Sequence, residues 1–185
     1  MYICVTNNKQ KTYFVMNKTL RQYIGLISAV VAYYVIHEGA HLVYALCTGV
    51  FRTIRFLGIV GIQIDIHRDQ LSEQGLAIFC LAGPIATLVA AWLMAFASKR
   101  ICQLSSKLVR SVLYYITIIL LFLDPLYLSI IYRFVGGGDM NGISLIVPET
   151  VVACLFGLLL IINITIFAKL VYPTYYASFK GLQLE

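Results

Sequence analysis

Hydrophobic residues along this chain are gathered into four long runs, separated by short polar or glycine-rich stretches. The runs cover about residues 22–47, 76–97, 111–133 and 150–172. Each is close to the roughly 20 residues that an α-helix needs to cross about 30 Å of hydrocarbon. The pattern predicts an all-α integral membrane protein, built as one bundle of about four transmembrane helices. We expect a single domain, 22–172, between an N-terminal polar segment, 1–21, and a C-terminal tail, 173–185.

The connection between the first two runs differs from the runs in its residue composition. Residues 53–67, "TIRFLGIVGIQIDIH", are rich in β-branched side chains and contain Gly58 and Gly61. They are too short to span a membrane twice, so they predict a short β-hairpin or a re-entrant segment at the membrane surface. Such strands offer an edge to which an extended substrate adds, or they plug the bundle. Residues 2–15 alternate loosely, which is compatible with a second small hairpin or with a disordered tail.

Composition and charge agree with a lipid environment. The chain is 61% hydrophobic and 12% charged, and its formal net charge is +6. The basic residues lie next to the ends of the runs, which favours contact with the lipid bilayer and argues against nucleic acid as a partner. Ten of the 14 Lys and Arg residues fall on the N-terminal side of the bundle. The positive-inside rule therefore predicts a multi-pass protein with both termini in the cytoplasm.

The first run contains the stretch "HEGAH", which places two histidines and a glutamate in an apolar helix. Residues four apart lie on one face of a helix, so His37 and His41 can bind one ion between them. Glu38 lies beside that face, within reach of water activated by the ion. In the H-E-x-x-H motif this is the arrangement of a zinc centre, in which the glutamate is the general base. Ionisable groups are expensive inside a membrane, which favours a functional explanation over a structural one.

A catalytic zinc ion needs a third protein ligand and an open position. The candidates are His67, Asp124 and Asp139. The helical rise places His37 roughly 24 Å from Arg21, towards the far face of the membrane. The third run ends on that face, so Asp139, in its glycine-rich turn, can fold back to the histidines.

The order of these motifs resembles the site-2 protease-like intramembrane zinc metalloproteases, the M50 peptidases, and most closely their small M50B-like branch. The matching pieces are "HEGAH", then "LAGPIA" at 81–86, then an Asp-Pro pair followed by "GGGDMNGISLIVPE" at 136–149. The resemblance covers about residues 25–170. It implies one Zn²⁺ per chain, with His37, His41 and Asp139 as ligands and Glu38 as the catalytic base.

The third motif departs from the family pattern of Asn-x-x-Pro followed by Leu-Asp-Gly. Here Asp124-Pro125 is followed by Asp139-Met-Asn-Gly. Asp124 is therefore an alternative third ligand, a group that binds the substrate backbone, or part of a structural kink. The CAAX-type prenyl proteases also carry H-E-x-x-H in a helix, but they require E-x-x-x-D, and Glu149 is followed by Ala153 at that spacing.

The resemblance implies an endopeptidase that hydrolyses peptide bonds in or next to a membrane-spanning segment of a protein or peptide substrate. The alternative is a non-catalytic membrane interaction protein that keeps the fold and the metal site. The presence of Glu38 argues against this alternative, because a zinc scaffold does not need a base. The spacing of His37 and His41 argues against a haem or redox site, because histidines four apart on one helix cannot ligate opposite faces of a haem. With almost no soluble domain in the chain, we expect any regulation to come from a separate membrane protein.

Overall fold

The computed structural model describes residues 3–5, 13–15, 17–58 and 61–181, and it is mostly helical. Four helical segments are long and apolar enough to cross a membrane: Lys18–Thr48, Glu73–Phe96, Lys107–Val135 and Glu149–Lys180. A two-stranded antiparallel hairpin lies between the first two segments. The predicted fold class, four long apolar helices with a short hairpin, is confirmed.

The first two segments are single helices. Helix α1 (Lys18–Thr48) begins at Asn17, whose side chain accepts a hydrogen bond from the Thr19 backbone N–H. It ends at Gly49, which has a φ of 74°. This left-handed conformation suits glycine, because it lacks a Cβ, and it turns the chain directly into the hairpin. Helix α2 (Glu73–Phe96) is capped by the Ser72 hydroxyl and is followed by the short helix α3 (Ser98–Cys102).

The third and fourth segments each contain a π-helical turn. In the third, α4 (Lys107–Leu126) passes through the turn Tyr127–Ile131 into α5 (Tyr132–Val135). In the fourth, α7 (Glu149–Ile166) passes through Phe167–Val171 into α8 (Tyr172–Lys180). Each wide turn lies beside a proline, which cannot donate a backbone hydrogen bond, so the helix changes pitch locally and continues. The last helix therefore extends to Lys180, beyond the tail boundary expected at residue 173.

The strands form two separate hairpins. Strands β1 (Ile3–Val5) and β2 (Tyr13–Val15) pair antiparallel within the N-terminal segment. Strands β3 (Phe51–Leu57) and β4 (Gly61–Ile66) pair antiparallel after α1, with Ile54 opposite Ile64. A 3₁₀ turn, Arg68–Gln70, leads from β4 towards α2. Of the two interpretations of residues 53–67, the structure shows the hairpin.

The helices pack so that α1, α2 and α4 enclose the centre of the bundle. Helix α1 contacts α2 and α4, α2 contacts α4, and α7 lies against α4. The short helix α6 (Gly138–Ile143) packs on α2. Two glycines with positive φ introduce it: Gly136, with a φ of 101°, precedes the helix, and Gly138, with a φ of 40°, is its first residue. Residues with side chains rarely adopt these angles, so the glycine run is what lets the chain fold back onto the bundle.

Candidate metal centre

The site lies where α1 passes between α2, α4 and α6. His37 and His41 are buried, with 7% and 3% of their surface exposed, and they project from the same face of α1. The two Nε2 atoms are 3.2 Å apart. Asp139, at the start of α6, has Oδ2 3.2 Å from His37 Nε2 and Oδ1 3.5 Å from His41 Nε2. One ligand atom from each of the three residues lies within 4.8 Å of the others, so the group could hold a metal ion.

The Nδ1 atoms of both histidines are held by acceptors. His41 Nδ1 lies 2.7 Å from the Phe79 carbonyl oxygen, which can only accept, so Nδ1 carries the proton. His37 Nδ1 lies 3.3 Å from Asp124 Oδ2 and donates to it in the same way. When both imidazoles are neutral, their Nε2 lone pairs then face each other and the Asp139 carboxylate. Three electron-rich atoms this close together favour a cation between them, and second acceptors of this kind orient metal-ligating histidines.

Asp124 occupies a different position from the one expected of a third ligand. It is 1% exposed and lies on α4, on the Nδ1 side of His37. Its carboxylate also accepts a hydrogen bond of 2.6 Å from the Tyr33 hydroxyl and another from the Thr87 hydroxyl. These three donors satisfy a buried charge that would otherwise be costly. The structure thus places Asp124 behind the first histidine, where it orients the imidazole and connects α1, α2 and α4.

His67 lies apart from this cluster. Its side chain is exposed, and its backbone N–H donates to the Val50 carbonyl oxygen at 2.8 Å, which closes the base of the β3–β4 hairpin. It is absent from the group of possible metal ligands found in the described part of the chain. Of the three third-ligand candidates, only Asp139 lies with the two histidines.

Glu38 faces a cavity of about 790 Å³ that opens beside the histidines. The cavity is lined by His37, Glu38, His41 and Asp139, and on one side by the whole of strand β4. The Ile64 backbone N–H, on β4, donates to Glu38 Oε2 at 3.3 Å. Glu38 thus lies between the candidate metal centre and the strand.

Gly83 allows α2 to approach the two imidazoles. A Cβ at this position would lie 2.6 Å from His41 Nε2 and 2.8 Å from His37 Nε2, closer than real Cβ contacts. Gly142 plays a similar part for α6, because a Cβ there would collide with Cys80 on α2. These two glycines let α2 pack closely against α1 and α6, the two helices that carry the candidate ligands.

Sequence reasoning gave no role to Tyr33, Thr87 or the Phe79 carbonyl. A signal for two of them was present in the spacing. Tyr33 is four residues before His37, and Thr87 is four residues after Gly83, so each shares a helix face with a residue of the site. The Phe79 carbonyl has no such signal, because its acceptor belongs to the backbone.

Comparisons of the chain with protein-family models, with curated proteins and with solved structures find no match. The described residues define a protein with four helical segments long and apolar enough to cross a membrane and with a His-His-Asp group whose two histidines are buried. The resemblance to intramembrane metalloproteases rests on the sequence motifs.

Proposed function

We propose that this protein is a zinc-dependent intramembrane endopeptidase. The observation that carries the proposal is the convergence of His37, His41 and Asp139 on one point, with Glu38 beside them on an open cavity. Asp139 lies 102 positions from His37 in the chain, so the H-E-x-x-H motif alone does not guarantee that their side chains meet.

The ligand spacing suits zinc. Zinc bonds to nitrogen and carboxylate oxygen are about 2.0–2.1 Å long, so neighbouring ligands of a tetrahedral ion lie roughly 3.3 Å apart. The three distances here are 3.2, 3.2 and 3.5 Å. Two histidines and one carboxylate are also a common ligand set of catalytic zinc, which leaves a fourth position open. A bound zinc ion would supply Lewis acidity and would lower the pKa of water towards about 7.

Glu38, Asp124 and the two buried imidazoles each contribute differently to the proposed reaction. Glu38 accepts a proton from the attacking water and delivers it to the leaving amine, as the base of the motif. Asp124 holds the His37 ring in the orientation that leaves Nε2 free. Burial of both imidazoles keeps bulk water from competing for the site, while the cavity admits substrate and a water molecule.

Strand β4 is the proposed docking edge for the substrate. One edge of β4 pairs with β3, and the other edge lines the cavity. At this second edge, the Ile64 backbone N–H donates a hydrogen bond to Glu38. An extended peptide that adds to this edge gains main-chain hydrogen bonds and presents a carbonyl near the three ligands. A membrane helix has all its backbone bonds satisfied internally, so the substrate segment must unwind before it can pair.

The test compares metal content and cleavage in purified protein. Wild type, Glu38→Gln, His37→Ala and the exposed control His67→Ala are purified in detergent, and bound metal is measured by mass spectrometry. Each is then incubated with a model transmembrane substrate. We expect one zinc per chain in wild type, His67→Ala and Glu38→Gln, and none in His37→Ala. Glu38→Gln should cleave on the order of 10²–10⁴-fold more slowly, the usual contribution of a general base.

Two results would count against the proposal. If wild type carries no stoichiometric metal, the zinc centre is wrong. If Glu38→Gln retains metal and cleaves as well as wild type, Glu38 is not the base. A wild type that binds zinc but cleaves no substrate would favour the alternative, a non-catalytic interaction protein with a retained metal site.

A further inference from the structure

A second cavity, of about 400 Å³, lies at the opposite end of the bundle from the metal centre. It is enclosed by the beginning of α1, the beginning of α4 and helix α8. These three chain segments meet on the N-terminal side because the chain crosses the bundle an even number of times between them. The cavity shares no lining residue with the metal centre.

The charged residues that line this cavity are all cationic. Lys18, Arg21 and Lys180 all line it, and among the residues that the structure describes no Asp or Glu does. In the part of the chain that the structure describes, none of the three forms an ion pair. Three unneutralised cations around one cavity attract an anion, and the attraction is strongest where the surroundings exclude water.

Arg110 adds a fourth positive charge next to the cavity. It is 9% exposed, and its guanidinium lies 5.8 Å from the centre of the Phe179 ring, which lines the cavity. Arg21 contacts the same ring at 5.6 Å. The hydrogen bonds of Arg110 go to neutral oxygens of Cys102 and Ser178, and its Nε has no partner among the described residues. A buried guanidinium is usually paired with an anion.

Most of the remaining lining residues are aromatic, and the others are Gln22 and Ser111. Tyrosine side chains from α4 and from the last helical segment line the cavity: Tyr114, Tyr115, Tyr172, Tyr175 and Tyr176. Tyrosine rings of this kind belong at the boundary between hydrocarbon and headgroups, where the ring contacts apolar chains and the hydroxyl contacts polar groups. The cavity therefore combines cations for a phosphate with apolar surface for the part of a molecule next to it.

We propose that this cavity binds the phosphate-bearing headgroup of an anionic phospholipid. Basic pockets between membrane helices are suited to such headgroups, and a phospholipid supplies both the anion and the apolar portion that the tyrosines would cover. A soluble phosphate would use only the cations. The proposal is independent of the proteolytic function, and its test contains no cleavage step.

The first arm of the test uses the unmodified protein. Native mass spectrometry of the full chain in detergent is recorded with added phosphatidylglycerol, with added phosphatidylcholine of the same acyl chains, and with inorganic phosphate as competitor. We expect one phosphatidylglycerol molecule to bind at least tenfold more tightly than phosphatidylcholine, and millimolar phosphate not to displace it. Equal binding of the two lipids would overturn the proposal, and full displacement by phosphate would assign the cavity to a soluble anion instead.

The second arm locates the site. Arg21→Gln/Lys180→Gln removes two lining cations, and Lys107→Gln/Lys169→Gln removes two exposed cations outside the cavity, so the two variants have the same net charge. The first should weaken phosphatidylglycerol binding on the order of 30-fold, at about fivefold per cation. The second should change it less than threefold. Equal losses in both variants, or no loss in the first, would mean that the lipid binds elsewhere.

Discussion

Replacing Gly83 by alanine places a methyl group against both imidazoles of the candidate metal centre. The added Cβ would lie 2.6 Å from His41 Nε2 and 2.8 Å from His37 Nε2. Ordinary contacts begin at 3.4 Å, so the rings must retreat by about 0.8 and 0.6 Å, or α2 must move away. Metal sites tolerate distance errors of only about 0.2 Å. We therefore expect zinc affinity to fall on the order of 100-fold.

The assay is zinc titration against a chelator of known affinity, with thermal unfolding of the metal-free protein measured in parallel. In an open helical position, a change from glycine to alanine gains up to about 1 kcal/mol. Overpacking of the kind expected at Gly83 costs about 1–3 kcal/mol. The unfolding free energy of the metal-free variant should therefore fall by at most about 3 kcal/mol. The expected loss of zinc affinity, on the order of 100-fold, is about 2.8 kcal/mol and is measured separately in the folded protein.

Gly39→Ala is the matched control. Gly39 is also helical and lies between Glu38 and His41, but a Cβ there would meet no atom within 4 Å. Its zinc affinity should equal that of wild type, and its stability should be unchanged or slightly higher. Wild-type zinc affinity in Gly83→Ala would refute the reasoning, because the imidazoles would then bind metal in an arrangement other than the one seen here.

Three further substitutions test the groups around the histidines. Asp124→Asn leaves one of three buried donors without an acceptor, so the unfolding free energy should fall by about 1–3 kcal/mol. Zinc affinity should fall about 10–100-fold. A chelator titration that matches wild type would contradict the positioning role of Asp124. Tyr33→Phe removes only one donor from that carboxylate, so the same titration should show less than a tenfold loss, and a larger one would mean that Tyr33 acts directly at the metal. Asp139→Ala should lose stoichiometric zinc, measured by mass spectrometry, because it deletes a ligand; retention of the metal would assign the third ligand to another group.

The arrangement of the site was partly predictable. The four-residue spacing of His37 and His41 places them on one face of any α-helix, and the structure has them so. Helix rise also predicted that Asp139 would fold back to their depth, because the third segment ends on the same side of the bundle. Both arguments use only the geometry of regular helices.

The position of Asp124 relative to the His37 ring could not be predicted from the sequence. Depth places it in the same layer as His37, but only the rotation of α4 about its axis decides whether it meets Nε2 or Nδ1. That rotation is set by packing against α1 and α2, and by close approaches such as that of Gly25 to Tyr115. The persistence of the last helix past Pro173 was likewise unforeseen, because a proline usually interrupts a helix, whereas here the helix continues through a π-helical turn beside it.

The length of α1 has a consequence for the surroundings of the site. Its 31 residues extend over about 46 Å, whereas the hydrocarbon core of a bilayer is roughly 30 Å thick. Only part of the helix can be immersed, and the depth of His37 depends on how the excess is shared between tilt and protrusion. Longer acyl chains would bring the mouth of the large cavity further below the headgroups, and shorter ones would bring it closer to water. For the proposed protease, the supply of water to Glu38 then depends on the membrane as well as on the protein, and turnover in vesicles should vary with acyl-chain length.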